Sequence, residues 1–292
     1  MATKHDLKHS VLSILRHNKD GSFATHANRR TQLLKLAEDL LARGFYIRNI
    51  HQLKAKHVYR MLDHWKAEGL SAGTIKNRMA NVRWLCEKIN KPGLIPADNE
   101  ALKVERRQYV ANKDKSIELT DEKLAKISDA DVKLSLQLQQ AFGLRKEESL
   151  KIKIHEAVQG NVLKLRSSWC KGGREREIPI RTTEQWLVIE ACKAYVGNIN
   201  RALIPVDKSY YQHMKRYESQ IANAGIHKAH GLRHGYAQKR YFELTGWHCP
   251  AKGGPTKNNL SHEQKRIDQY AREIISHELG HDRVVTSIYC GK

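Results

Sequence analysis

Six polar side chains in the C-terminal part of the chain are of types that can do chemistry on a phosphate, and they fall at predicted ends of helices and strands. They are Arg145, Lys171, His230, Arg233, His281 and Tyr289. A guanidinium group binds two phosphate oxygens at once, which a lysine ammonium cannot do. A tyrosine hydroxyl can act as a nucleophile, and lysine and histidine can transfer protons. Together these residue types suit the cleavage of a phosphodiester through a covalent intermediate.

Three motifs and one lysine follow one another in an order that resembles the tyrosine recombinase family, most closely the integrases of phages and other mobile elements. The first motif, Ala-Phe-Gly-Leu-Arg-Lys-Glu-Glu-Ser-Leu, occupies 141–150, and the second, His-Gly-Leu-Arg-His-Gly, occupies 230–235. Between them Lys171 begins the sequence Lys-Gly-Gly-Arg-Glu-Arg-Glu-Ile-Pro-Ile, and the third motif, Leu-Gly-His at 279–281, precedes Tyr289. One such motif occurs by chance in many proteins, but this joint order is specific. The resemblance covers residues 120–290.

The resemblance implies that Arg145 and Arg233 hold the phosphate during the reaction. Attack on a phosphodiester concentrates negative charge on its non-bridging oxygens, so fixed cations are needed in the transition state. Glu148 lies one helical turn beyond Arg145, where its carboxylate can orient the guanidinium. We therefore expect these three residues to form the phosphate-binding part of the site, with Glu148 in a supporting role.

The resemblance also assigns the groups that break the bond and move protons. Tyr289 is the expected nucleophile, because a phosphotyrosine conserves the bond energy for rejoining without ATP. Lys171, at a predicted hairpin tip, is the expected general acid for the 5′-oxygen. His230 and His281 are expected to donate hydrogen bonds to the phosphate or to assist proton transfer. The expected chemistry needs no metal ion and no cofactor.

Two features depart from the family pattern. The spacing from His281 to Tyr289 is one residue shorter than is usual, which leaves the register of the tyrosine segment open. The segment 245–262 resembles an inserted loop, either a DNA-contacting loop or a flexible excursion. Tyr241 and Tyr270 are alternative nucleophiles, but both fall within helical patterns and neither follows a Leu-Gly-His motif.

Three alternative functions remain open at the level of the sequence. The sequence His-Glu-Leu-Gly-His at 277–281 matches the H-E-x-x-H motif of zinc metalloproteases. The extended form of that motif needs a glycine and a third histidine where Val284 and Ser287 stand, and no glutamate follows His281. A DNA-binding protein of the recombinase fold that has lost catalysis is the second alternative. A type IB topoisomerase, which uses related chemistry only to relax DNA, is the third.

Residues 1–97 are predicted to form a helical DNA-binding domain that resembles the family's core-binding domain in general character. Apolar residues recur at helical spacing in two of its segments, namely Val58, Met61, Leu62 and Trp65, and then Ile75, Met79, Val82, Cys86 and Ile89. Polar positions of the second segment carry cations that suit a DNA backbone. These predicted DNA-binding residues are Lys76, Arg78, Arg83 and Lys88.

Residues 98–117 are charge-rich and lack apolar periodicity, which is typical of a linker. A catalytic domain is expected over 118–292. Within it, Asn161–Trp169 and Arg176–Ile180 are predicted to be the strands of a hairpin, and helical patterns resume from about residue 183. The expected fold is therefore mainly α with a small β-sheet, in which a helical core-binding domain precedes a catalytic domain of the DNA breaking-rejoining type. We expect the two domains to clamp DNA between them.

The overall charge agrees with a nucleic-acid partner. The chain of 292 residues carries a net charge of +21 and has a pI of about 9.8, which calls for a polyanion. Its five cysteines show no Cys-x-x-Cys spacing, and the sequence has neither a secretory signal nor an apolar span for a membrane. We expect the protein in the cytoplasm, associated with the nucleoid.

The sequence as a whole predicts a site-specific recombinase that integrates or excises a mobile element. It would cleave and rejoin double-stranded attachment sites through a 3′-phosphotyrosine. The three residues after Tyr289 are too few to form a helix that docks into a neighbouring protomer. We therefore expect a monomer in the free state and a multimer, a tetramer, on DNA, with accessory DNA-bending proteins as further partners.

Overall fold

The computed structural model describes residues 4–106, 110, 113–281 and 286–292. The chain divides into two compact units, Met1–Gln108 and Tyr109–Lys292. Four α-helices are described in the first unit, together with a short 3-10 turn at Ile50–Gln52. They are α1 Lys4–His17, α2 Phe23–Ala42, α3 Ala55–Ala67 and α4 Ala72–Lys88.

Serine residues begin two of these helices. The hydroxyl of Ser22 accepts a hydrogen bond from the amide of Thr25, and the hydroxyl of Ser71 accepts one from the amide of Thr74. Each cap satisfies a backbone donor that has no partner within its own helix. The apolar faces predicted for α3 and α4 are confirmed, because all nine of their residues are buried in one core.

The segment 98–117 contributes residues to both units. Leu102 and Val104 are buried in the core of the first unit. Ile117 packs against a core of the second unit, and its amide donates to the carbonyl of Gly231 at 3.2 Å. Part of the predicted linker is thus anchored by apolar contacts at each end.

The second unit is mainly helical with a small β-sheet, as the sequence predicts. Its described helices are α5 Asp121–Ala125, α6 Ala130–Phe142, α7 Lys146–Lys151, α8 Ile154–Ala157, α9 Thr183–Val196, α10 Tyr210–Asn223, α11 Gly231–Thr245, α12 His262–Glu278 and α13 Ser287–Cys290. Its strands are β1 Val158–Gln159, β2 Val162–Leu165 and β3 Arg176–Pro179. They form an antiparallel sheet in the order β1-β2-β3, with Leu165 opposite Arg176.

The strands of the hairpin are shorter than the sequence predicts. The first was expected to extend to Trp169, but β2 ends at Leu165, and 3-10 turns follow at Ser167–Trp169 and Lys171–Gly173. These turns take the chain out of the extended conformation, and within the second one Gly172 has a φ of 74°, which only glycine adopts at little cost. The residues between β2 and β3 therefore form a wide turn, 166–175, rather than extended strands.

Helix α11 is the centre of the second unit, because it packs against α6, α12 and α13. The segment 245–262 folds compactly beside α13 instead of forming a flexible excursion. It contains 3-10 turns at Pro250–Lys252 and Lys257–Asn259, and Cys249 and Leu260 are buried. Among the described residues, none of the helices is long and apolar enough to cross a membrane.

Candidate active site

Tyr289 lies at the centre of the candidate site, on the short helix α13, and is 4% exposed. Its hydroxyl accepts a hydrogen bond from Nε of Arg233 at 3.1 Å, and Nε2 of His281 lies 3.1 Å from the same oxygen. The rings of His234 and His230 lie 4.9 Å and 6.2 Å from the tyrosine ring. The structure thus brings four of the predicted residues together, and adds His234 at ring contact.

Arg233, on α11, is buried, and carbonyl groups at the ends of two other helices hold its guanidinium. Nη1 donates to the carbonyl of Gly143 at 2.6 Å, and Nη2 donates to the carbonyl of Leu279. These residues follow the last residues of α6 and α12, so both carbonyls lie at the negative ends of helix dipoles. Burial lowers the pKa of Arg233 to about 10, which leaves the side chain cationic at neutral pH.

Gly143, the glycine of the first motif, lies where a larger residue would not fit. Its φ of 62° is in the left-handed region. A Cβ at this position would lie 2.6 Å from Cδ1 of Tyr236 and 2.9 Å from Cδ2 of Leu279. The glycine therefore allows the C-terminal end of α6 to pack closely against α11 and against the C-terminal end of α12. In this position the carbonyl of Gly143 accepts the hydrogen bond from Arg233.

Arg145 directly precedes α7 and is paired with Glu148 on the first turn of that helix. Nη1 of Arg145 donates to Oε1 of Glu148 at 2.7 Å, and the amide of Arg145 donates to Oε2 at 2.7 Å. The carboxylate is fully buried, whereas 24% of the Arg145 side chain is exposed. The contact expected between these two residues is therefore formed, and part of the guanidinium stays open to solvent.

A third arginine, Arg176, is not singled out by the sequence motifs. It begins β3 and is buried, and its Nη2 and Nη1 donate to Oε2 and Oε1 of Glu148 at 2.6 Å and 3.1 Å. Burial raises the pKa of Glu148, but the hydrogen bonds and charge of Arg176, and then those of Arg145, outweigh burial and lower it to about 2. The alternation of side chains along a strand could have identified Arg176. It lies two residues before Ile178 and so on the same buried face of β3, where a cation needs a partner.

Two histidines at the site are neutral at physiological pH. Burial, followed by the charges of Arg233 and Arg145, lowers the pKa of His281 to about 4. Burial, followed by the charge of His230, lowers the pKa of His234 to about 4. A neutral imidazole donates from one ring nitrogen and accepts at the other. His281 can therefore accept the proton of the nearby tyrosine hydroxyl or donate a hydrogen bond to its oxygen, according to its tautomer.

Two predicted catalytic residues, Arg145 and Lys171, have no contact with Tyr289 among the described residues, and only Arg145 is bonded to another residue of the site. Lys171 is exposed at the start of the 3-10 turn Lys171–Gly173. Within the described ranges it forms no hydrogen bond or ion pair. This exposure agrees with its position in the middle of the wide turn 166–175.

The zinc-protease alternative does not have the required geometry. Helix α12 ends at Glu278, and Gly280, with a φ of 66°, takes the chain out of the helix before His281. The Glu278 carboxylate is buried and accepts hydrogen bonds from Tyr236 at 2.7 Å and Arg240 at 3.1 Å. The two histidines therefore do not share a helix face, and the glutamate already has partners. Val284, which was weighed for the extended motif, lies outside the described residues.

The predicted DNA-binding cations of α4 differ in their surroundings. Lys76 is exposed. Arg83 donates to the carbonyls of Pro96 and Asp98, both at 2.9 Å. Arg78 lies over the ring of Trp65 at 5.1 Å and Lys88 over that of Trp84 at 5.8 Å. Arg83 thus anchors the chain that follows α4, and its contact with DNA, like that of the other three, remains a proposal.

Two family models match the chain. The model for the N-terminal domain of phage integrases matches residues 5–92, and the integrase model matches residues 107–239. Together they span about three quarters of the chain, including the first two motifs and Lys171. No curated protein matches the chain by sequence.

Solved structures of three recombinases have the same fold. A lambda integrase dimer bound to a COC′ core site superposes with a TM-score of 0.57 at 15% identity, covering 98% of this chain and 94% of that one. The XerH recombinase bound to difH gives 0.54 at 17% identity, with 97% and 80% covered. The Tn1549 transposon integrase in complex with a circular intermediate DNA gives 0.52 at 12% identity, with 96% and 93% covered. On the strength of the two family models and this shared fold, the chain belongs to the integrase family of tyrosine recombinases.

Proposed function

We propose that the protein is a site-specific DNA recombinase that cleaves and rejoins strands through a 3′-phosphotyrosine on Tyr289, and so integrates or excises a mobile element. One observation carries the proposal. The hydroxyl of Tyr289 lies 3.1 Å from both Nε of Arg233 and Nε2 of His281. A phenol held between a buried cation and a neutral imidazole is prepared to lose its proton and to attack phosphorus.

The chemistry of one cleavage follows from these groups. The Tyr289 oxygen forms a bond to phosphorus while the bond from phosphorus to the 5′-oxygen breaks. The phenolic proton passes to Nε2 of His281, and the leaving oxygen takes a proton from Lys171. Rejoining reverses these steps, with a 5′-hydroxyl attacking the phosphotyrosine, so no outside energy source is needed.

The phosphate itself is held by Arg233 and Arg145. Three of the five N–H groups of Arg233 are bonded to Tyr289, Gly143 and Leu279, and Nη2 also lies 3.4 Å from Nε2 of His281. The remaining N–H of Nη1, together with the solvent-open part of Arg145, can bind the non-bridging oxygens. These donors are fixed before the substrate arrives, which is the condition under which they stabilise developing charge most.

Trapping of a covalent adduct tests the nucleophile. Wild-type protein incubated with a nicked candidate attachment site should give a protein–DNA band on a denaturing gel. Tyr289→Phe should abolish the band while leaving DNA affinity nearly unchanged, since only the nucleophilic oxygen is lost. Tyr270→Phe is the matched control, because Tyr270 is 61% exposed on α12 and should keep the adduct. An adduct that persists in Tyr289→Phe would move the nucleophile to another tyrosine.

The same gel separates the proposed function from a catalytically inactive relative. A protein that only binds DNA would shift the site on a native gel and give no covalent band with wild-type protein. A topoisomerase would form the adduct and relax supercoiled circles, but it would not join strands from two attachment sites. We expect an adduct that depends on the attachment sequence.

The proposed partner is double-stranded DNA, bound by multiple copies of the chain in the cytoplasm. Lambda integrase has been solved as a dimer on a core site and as a tetramer on a Holliday junction, and we propose similar assembly here. With a net charge of +21, DNA affinity should fall steeply between low and physiological salt as counterions are released. Light scattering of the DNA-free protein should give a monomer, and a stable dimer or tetramer at micromolar concentration would refute this prediction.

A further inference from the structure

We propose that Arg176 is a positioning residue for the candidate active site. Its guanidinium fixes Arg145 through the carboxylate of Glu148, and it also contacts Cys170, the residue that precedes Lys171. This inference rests on the proposed function. Arg176 itself reaches neither Tyr289 nor the exposed part of Arg145 by any contact among the described residues, so its role would be indirect.

The first step is that Glu148 is shared between two arginines. Oε1 accepts from Arg145 at 2.7 Å and from Arg176 at 3.1 Å, and Oε2 accepts from the amide of Arg145 at 2.7 Å and from Arg176 at 2.6 Å. The side chains of Arg176 and Glu148 are 2% and 0% exposed. A buried paired carboxylate cannot exchange its partners for water. With Arg176 in place, the carboxylate has a single position, and Arg145 is oriented by it.

The second step connects Arg176 to the third motif. Its Nε donates to the carbonyl of Glu278 at 2.8 Å. A Cβ on Gly280 would lie 2.9 Å from Cδ and 3.1 Å from Nη1 of Arg176. The arginine therefore packs against the turn that leads from α12 to His281, and the third motif needs glycine both for its positive φ and for this contact.

The third step connects Arg176 to Lys171. Nη1 of Arg176 lies 3.6 Å from Sγ of Cys170, a buried residue that directly precedes Lys171. Arg176 also pairs with Leu165 in the sheet, where the wide turn 166–175 begins and ends. The guanidinium of Arg176 thus contacts the residue beside Lys171, and the backbone of Arg176 closes the base of the turn. The exposed lysine is consequently attached to a fixed point.

A purely structural arginine is the competing explanation. A buried ion pair can contribute little net stability, and apolar residues of similar size often replace one at no loss. In that case variants would change how much protein is folded and would leave the chemistry of the folded fraction alone. Positioning predicts the opposite, because the guanidinium geometry fixes catalytic groups and an ammonium cannot reproduce three separate contacts.

The experiment measures single-turnover adduct formation on a nicked site, separating its rate constant from its amplitude. Arg176→Lys should form adduct to full amplitude with a rate constant lowered by about tenfold to a hundredfold, as expected for misplaced catalytic groups. Arg176→Met should be slower still, while DNA affinity stays within about threefold for both. Arg201→Met is the matched control, because Arg201 forms a 2.7 Å ion pair with buried Asp131 outside the site. It should keep the wild-type rate constant.

A wild-type rate constant in Arg176→Lys would overturn the inference, and so would a reduced amplitude at wild-type rate in Arg176→Met. A second readout does not depend on activity. The side-chain N–H signals of Arg145 in an NMR spectrum should shift and exchange faster with solvent in Arg176→Met, and should not change in Arg201→Met. Unchanged Arg145 signals in Arg176→Met would refute the positioning role of Arg176, whether or not the wild-type protein forms an adduct. If the wild-type protein formed no adduct, only the proposed function would be refuted.

Discussion

The candidate site has two parts that are built in opposite ways. Arg233, Tyr289, Glu148 and Arg176 are buried, and each is hydrogen-bonded to residues far away in the chain. Lys171 is exposed on a turn and has no such partner among the described residues. The difference indicates that folding itself arranges the groups proposed to bind the phosphate, whereas no contact among the described residues holds the side chain of Lys171, the proposed proton donor.

The buried part also has an unbalanced charge. Arg145 and Arg176 share the carboxylate of Glu148, whereas the side chain of Arg233 is bonded to carbonyl groups and to the Tyr289 hydroxyl instead of a carboxylate. The excess positive charge of the three arginines helps to keep His281 neutral, since it adds to burial in lowering the pKa of that histidine. A DNA phosphate would supply the missing negative charge. Under the proposed function, the positive charge that folding assembles here is offset only when a phosphate binds, as expected of a preorganised site.

The largest expected effect comes from breaking the buried part at Arg233. Arg233→Lys should lower the rate of adduct formation by about a hundredfold to a thousandfold, the range observed when one preorganised donor is lost. A lysine cannot bond the carbonyls of Gly143 and Leu279 and the Tyr289 hydroxyl at once. Single-turnover kinetics measures the effect, with Arg201→Lys as control. A rate close to that of the wild type would remove Arg233 from the site.

Removing Lys171 should test the exposed part. Lys171→Ala should lower cleavage of ordinary DNA by about a hundredfold, the lower range for general acid catalysis. The Lys171→Ala variant should cleave a substrate with sulfur in place of the bridging 5′-oxygen at nearly the wild-type rate, since a thiolate leaves without a proton. Thermal unfolding should not change, because the side chain is exposed. Lys164→Ala, on β2 of the same hairpin, is the control, and equal impairment on both substrates would make Lys171 a binding residue.

A smaller effect concerns pH and the buried histidine beside Tyr289. Burial lowers the pKa of His234 from 6.5 to about 4, so the unfolded chain binds more protons than the folded one between these values. The contribution of neutral His234 to the unfolding free energy is therefore complete above pH 6.5 and is lost as the pH falls toward 4. From pH 7 to 5 the wild type should lose about 1 to 2 kcal/mol more unfolding free energy than His234→Gln. Denaturant titrations measure it, and the exposed His262→Gln should behave like the wild type.

The sequence predicts the motif residues better than the contacts that hold them. The order of the motifs identifies Arg145, Arg233 and Tyr289, because phosphate chemistry needs particular residue types at element ends. It does not identify Arg176, whose partners lie 28 and 102 residues away. Pairing across such distances depends on how strands and helices pack, and no local pattern records it. The length of the hairpin strands was wrong for a related reason, since the 3-10 turns between the strands take the chain out of the extended conformation.

The last prediction concerns another residue that sequence patterns miss, Gln238. It is buried on α11, and its Nε2 donates to the carbonyl of Tyr289 at 3.0 Å and to Asp114 at 2.8 Å. Gln238 therefore holds the backbone of Tyr289, the proposed nucleophile. Gln238→Met keeps the size of the side chain but removes both bonds, and it should slow adduct formation by about threefold to tenfold, the equivalent of one hydrogen bond. Gln139→Met is the matched control, because Gln139 is an equally buried glutamine bonded to Tyr217 at 3.0 Å. If both variants slowed the reaction equally, the cause would be loss of packing and not loss of the contact with Tyr289. Tyr289 would then be positioned by Arg233 and His281 without Gln238.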